Sequence, residues 1–190
     1  MPLLFPWLLQ LLLFQDPYRI APANYTLELD NEWVRVSRAR FQPGEKLSAH
    51  SHPALPTIYI YLTDGGPMRF AHSRNFVVTR PAVKAGAVRL ERGIGGAHQT
   101  MYLGDTPCEY LRMELKTEPL DPPGQDVRLE PAWTAPFENA QVRITSAAKG
   151  LAAYPSVSIS LQDRAFQWSE KDAPPADIRV ELKSKPPLRP

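Results

Sequence analysis

The chain has 190 residues, 43% of them hydrophobic, enough to bury the core of one ordinary domain or of one domain with a partial second. Its 22 basic and 20 acidic residues leave a formal net charge of +2 scattered along the sequence, with no electrostatic footprint for nucleic acid. The single cysteine, Cys108, excludes an intrachain disulfide and a thiolate zinc cluster, and nothing near it in sequence activates it as a nucleophile.

Residues 1–14 are almost wholly apolar. The run is too short to span a bilayer and reads as a secretory signal, although only the amino terminus supplies positive charge. Ala21, Pro22 and Ala23 have the form of a small-residue cleavage site but lie beyond the charged Asp16 and Arg19. A signal or leader segment over 1–20 predicts export, periplasmic or extracellular; the alternatives are a mis-called start or a buried hydrophobic arm. No cysteine follows the run to serve as a lipoprotein anchor.

Downstream, the pattern is one of strands. Residues 25–29 alternate, 33–36 are rich in β-formers, and 57–62, reading Thr-Ile-Tyr-Ile-Tyr-Leu, have the composition of a well-buried strand. Asp64, Gly65, Gly66 and Pro67 supply a turn and 68–70 return, a hairpin signal. Further strands are expected at 76–78, 87–90, 100–103 and 110–116. The 21 prolines argue against long helices. Many short strands with turns roughly every ten residues predict an all-β sandwich or barrel.

The sequence also repeats itself. The segment from Asn31 through Val34 and Arg35 to Val36 recurs from Asn139 through Val142 and Arg143 to Ile144. The strand from Ile58 to Leu62 with its turn residue Asp64 recurs from Val157 to Leu161 with Asp163, and the run from Leu111 to Pro119 is echoed from Ile178 to Pro186. Three matches in one order predict a duplication. The second copy is shortened: Asp64 and Tyr110 lie 46 positions apart, Asp163 and Asp177 only 14. It carries no histidine, so its expected role is to extend or cover a sheet of the first copy. These boundaries place a first unit at 27–118, a linker at 119–136 and a truncated second repeat lacking metal ligands at 137–187.

Three of the four histidines fall in two short segments. His50 and His52 are separated by one residue, and His98 follows 46 residues after His52. Side chains alternate along a strand, so His50 and His52 on one strand face the same way and can reach one metal ion, with His98 brought in by a later strand.

Here the chain resembles the cupin superfamily. Gly44, five intervening residues, His50, Ser51 and His52 reproduce the front half of that family's first motif, and Gly95, Gly96, Ala97 and His98 match the histidine-bearing part of its second. Gly86 sits one residue too far upstream, Gly93 stands where the motif has proline, Tyr102 stands where it has asparagine, and Pro56 and Thr57 occupy the place of its glutamate. The resemblance covers roughly residues 31–116. It implies an all-β cupin jelly-roll barrel, with a truncated second β repeat packed on it in a bicupin-like layout. It also implies a metal site of His50, His52 and His98 without a carboxylate, holding Fe, Mn, Zn or Ni, and pairing as a homodimer. A neutral three-histidine site leaves coordination positions open and keeps the ion's full positive charge, which favours an anionic substrate or water.

Tyr59 and Tyr61 share a strand face. If Thr57 faces the metal, both phenols do, placed to hydrogen-bond a substrate or to fill the core; Tyr102 shares a face with His98 and is a comparable candidate. His72 reads as a loop residue, Glu91 has no assigned place, and Arg112 with Glu114, echoed by Arg179 and Glu181, reads as a structural ion pair. Two functions compete. One is a metal-dependent dioxygenase or isomerase of a small molecule, with Tyr59, Tyr61 and Tyr102 as its candidate catalytic residues. The other is a non-enzymatic small-molecule-binding or structural domain. Neither involves nucleic acid or a transmembrane span.

Overall fold

The structure, a computed structural model, describes residues 16–73, 76–93, 95–118 and 124–184. The apolar run at 1–14, part of the expected linker and the Pro186 end of the repeat lie outside them. A single helical turn, α1 (Pro17–Ile20), opens the described chain. Asp16 caps it by accepting the Tyr18 N–H at 3.0 Å, and Pro17 sits at its first turn, where a missing N–H costs nothing.

Three sheets follow. Six strands form the middle one: β1 (Tyr25–Asp30), β2 (Val34–Phe41), β4 (Thr57–Tyr61), β7 (Val88–Glu91), β9 (Cys108–Leu115) and β10 (Val127–Leu129), in the order β1-β2-β9-β4-β7-β10. Against one face lie β3 (Lys46–His52), β5 (Met68–His72), β6 (Val77–Arg80) and β8 (Gly96–Tyr102), ordered β3-β8-β5-β6. The third sheet holds β11 (Phe137–Glu138), β12 (Val142–Ala148), β13 (Ser156–Ser160), β14 (Ala165–Ser169) and β15 (Ala176–Leu182), ordered β11-β12-β15-β13-β14.

The middle sheet is covered on both sides, and its residue pattern shows why. Along β9, Leu111, Met113 and Leu115 alternate with Tyr110, Arg112 and Glu114, and all six are buried. The aliphatic set joins Val34, Val36, Ile58 and Ile60 in one core against Val142, Ile144, Val157, Ile159, Ile178 and Val180 of the third sheet. The opposite face forms a second core in which Tyr25, Phe41, Tyr61 and Tyr110 meet Leu47, Met68, Phe70 and Tyr102. Each such side chain removed from water contributes about 1.5–3 kcal/mol.

The ladders of the third sheet follow those of the middle one residue for residue. Val34–Leu115, Arg35–Glu114 and Val36–Met113 pair between β2 and β9; Val142–Leu182, Arg143–Glu181 and Ile144–Val180 pair between β12 and β15. Ile58–Met113 and Tyr59–Arg112 are likewise matched by Val157–Val180 and Ser158–Arg179. Even the turns agree. The Asn31 side-chain oxygen accepts the N–H groups of Trp33 and Val34, and that of Asn139 accepts those of Gln141 and Val142.

Two expectations need correction. The jelly roll is not a closed barrel: among the described residues, no strand ladder joins its four-stranded sheet to the six-stranded one. Closure is unnecessary because packed side chains hold the sheets face to face. The segment expected to be only a linker contributes β10, which pairs Val127, Arg128 and Leu129 with β7 and extends the middle sheet.

Candidate metal centre

The histidines meet on the four-stranded sheet. β3 and β8 run antiparallel with His50 directly opposite His98 and His52 opposite Gly96, whose lack of a side chain keeps the space beside His52 open. Ring centroids are 4.7 Å apart for His50 and His98, 5.1 Å for His50 and His52, and 5.6 Å for His52 and His98. One nitrogen from each ring lies within 4.8 Å of the other two.

His50 carries the clearest sign of a missing partner. It is fully buried, and its Nδ1–H donates to the Ser48 carbonyl at 2.9 Å. A carbonyl only accepts, so the neutral ring keeps its lone pair on Nε2, and that buried nitrogen has no hydrogen-bond partner. This is the second-sphere arrangement that orients a ligating imidazole. Burial lowers the affinity of all three rings for protons. His98 is pushed down to about 3, with His50, His72 and two arginines adding to the effect; His52 lies well below its ordinary value and His50 below it. The rings are therefore neutral near pH 7, the form that binds metal. Three converging neutral imidazoles with an orphaned buried nitrogen fit a divalent ion.

The site opens into a cavity of about 270 Å³ whose walls include Tyr25, Thr57, Tyr59, Phe70, Tyr110 and Arg112. Of the tyrosines read from sequence, only Tyr59 borders it. Tyr61 shares the face of Tyr59 but lies deeper, 5.5 Å from the ring of Tyr110 and beneath the Arg89 guanidinium. Tyr102 is fully buried in the core, where its hydroxyl accepts the Gly66 N–H at 2.8 Å and donates to the Thr106 carbonyl at 2.7 Å. It shares the face of His98, but four residues along a strand carry it away from the histidines.

His72 ends β5 rather than lying in a loop; it pairs with His98 across the ladder, 5.4 Å away, and stacks on Phe76. Glu91 also finds its place at the cavity, accepting from Arg80 at 2.5 Å. The guanidinium of Arg80 lies over the rings of Phe70 and Tyr59, 4.5 and 5.1 Å from their centroids. Arg112 does pair with Glu114, as read from sequence, and it also borders the cavity. Burial holds the phenols of Tyr25 and Tyr110 above their ordinary range, so at neutral pH both are hydrogen-bond donors and neither is a base.

Gly93, standing where the resembled motif has proline, has φ 75°, which proline's ring forbids. A Cβ there would also fall 2.2 Å from the Leu55 carbonyl oxygen. Glycine is therefore the residue that this backbone position accepts.

No family model matches the chain, and no curated protein matches it. Solved structures do. A cupin domain from Bordetella pertussis Tohama I is 25% identical over 48% of this chain and 90% of its own, with a TM-score of 0.41. An RmlC-like cupin protein from Desulfovibrio desulfuricans is 19% identical, covering 60% and 97%, with a TM-score of 0.33. A predicted oxalate decarboxylase from Thermotoga maritima is 24% identical, covering 48% and 77%, with a TM-score of 0.34. In this chain itself, two facing antiparallel sheets of jelly-roll type carry a His-x-His strand paired to the strand of a third histidine. By that strand order the two sheets form a jelly roll, with the histidines placed as the resemblance to cupins implies.

Proposed function

We propose that this protein is an exported cupin that binds one divalent ion, Fe, Mn, Zn or Ni, through His50, His52 and His98 and acts on a small molecule in the adjoining cavity as a dioxygenase or isomerase. The observation that carries the reading is the convergence of three ring nitrogens within 4.8 Å of one another, one of them buried without a partner. A bound ion would supply Lewis acidity or oxygen activation. The chain's own residues do the rest: Tyr59 and Tyr25 offer hydroxyls at the wall, and Phe70 and Tyr110 exclude water. Export rests on the apolar leader, and the reading of the third sheet as a shortened copy rests on the matching ladders. A homodimer is proposed on the family resemblance alone.

A second reading, capture of a small molecule without turnover, draws on the side chains. The Tyr25 and Tyr110 phenols hold their protons, and Glu91 is engaged by Arg80, so no free base stands at the wall among these groups.

Elemental analysis of untagged protein, wild type against His50→Ala and His98→Ala, tests the metal. Near-stoichiometric metal that both variants lose is expected. Wild type without metal, even after anaerobic loading with Fe(II) or Mn(II), would overturn it.

A further inference from the structure

Arg112 is only 4% exposed, yet it borders the cavity. Its guanidinium pairs with Glu114, its partner across the ladder is Tyr59, and its buried Nε–H has no partner. The matching residue of the third sheet, Arg179, shows what a purely structural arginine does at this register. Its Nη1 donates to the Gly150 carbonyl at 2.7 Å, and its Nη2 to those of Ala173 at 3.3 Å and Pro174 at 2.6 Å. Only its Nε, like that of Arg112, is unpartnered. Loop carbonyls thus occupy the ground that the cavity occupies beside Arg112.

The charge of the walls points the same way. Four arginines, Arg80, Arg92, Arg112 and Arg128, line the cavity against two carboxylates, Glu91 and Asp126. Glu91 is taken by Arg80, and Asp126 accepts the backbone N–H of Arg92 at 3.1 Å. Arg112 is paired with Glu114 as Arg80 is with Glu91, so the positive excess lies at the exposed rim, on Arg92 and Arg128, where it draws an incoming anion toward the cavity. A guanidinium is a planar fork that matches the two oxygens of a carboxylate.

We infer that the ligand of this cavity is a small carboxylate, its anionic group held by Arg112 beside Tyr59 and the rest of the molecule directed at the histidine cluster. This rests on the reading of the cavity as a ligand site, and a volume of about 270 Å³ limits the ligand to metabolite size.

Calorimetric titration of metal-free protein with succinate, succinamide and inorganic phosphate tests it. Succinate is expected to bind, more weakly as salt rises, with succinamide and phosphate at least about tenfold weaker. Arg112→Met with Glu114→Gln, which removes the fork without leaving a buried carboxylate, should abolish binding while circular dichroism stays native. If that variant does not fold, Arg112→Lys, which keeps the charge beside Glu114, decides: weakened succinate binding supports the assignment and unchanged binding overturns it. No succinate binding, equal binding of succinamide or phosphate, or a folded double variant that binds as wild type would each overturn it. Metal content is measured separately, so a chain that binds succinate but no metal sinks only the metal site, and metal without succinate sinks only this assignment.

Discussion

His50 and His98 face each other across one antiparallel ladder, their rings 4.7 Å apart, and His72 faces His98 from the other side at 5.4 Å. Only the first pair, with His52, brings ring nitrogens together as a ligand set. His52→Ala and His98→Ala should therefore weaken metal binding by more than about 100-fold, above what even outer-sphere partners of metal ligands cost. His72→Ala should leave metal stoichiometry unchanged. Competition of each variant with a chromogenic chelator measures this, and loss of metal in His72→Ala would make the site a four-histidine one.

Tyr102 ties the Gly66 turn to the Thr106 loop through one hydroxyl. The backbones there are so close that a Cβ on Gly66 would lie 2.2 Å from the Gly104 Cα. Tyr102→Phe removes both of these part-buried hydrogen bonds, at about 0.5–1.5 kcal/mol each. The expected result is a lower urea midpoint with an unchanged slope and full metal content. A native midpoint with reduced turnover would instead make Tyr102 part of the chemistry.

The local features were readable and the non-local ones were not. Period-two alternation located Thr57, Tyr59 and Tyr61 on one face, and the His-x-His spacing put both rings on one side of β3. Nothing in alternation tells which strands become neighbours, so the pairing of Tyr59 with Arg112 across β4 and β9, and with it the arginine at the cavity, was hidden. Tyr25, Phe70 and Arg80 reach the site from strands far apart in sequence for the same reason. β10 was missed because three residues, Val127 to Leu129, give too short a pattern to separate from a loop. The matching residue pattern was legible because the two sets of strands pair in the same register.

Cys108 is buried beside Gly65, and burial pushes its thiol up to about 12. At pH 8 almost none is thiolate, the form that attacks disulfides. Ellman's reagent should find no reactive thiol in the native protein at that pH and one per chain in guanidinium chloride. Rapid native labelling would mean that the strand around Cys108 opens readily.

Arg38 couples the middle sheet to the third. Buried on β2, it donates to Glu28 at 2.5 and 3.0 Å, to Glu109 at 2.7 Å and to the Arg164 carbonyl at 2.8 Å, which lies in the turn between β13 and β14. Arg38→Met leaves Glu28 and Glu109 without their shared cation, though Arg40 and Arg164 still lie beside Glu109, and the lost charged hydrogen bonds should cost about 1.5–3 kcal/mol. Ile144→Ala, in the apolar core between the same two sheets, should cost about 2–5 kcal/mol through lost burial and the cavity left behind. If the third sheet is an integral layer, both variants should unfold in a single transition at a lower denaturant concentration, whether followed by tryptophan fluorescence or by far-ultraviolet circular dichroism. Trp168 lies on β14 and Trp33 immediately before β2, so the fluorescence reports on both the third and the middle sheet. Two separated transitions would show instead that the jelly roll stands without the sheet that covers Ile58, Ile60 and Met113.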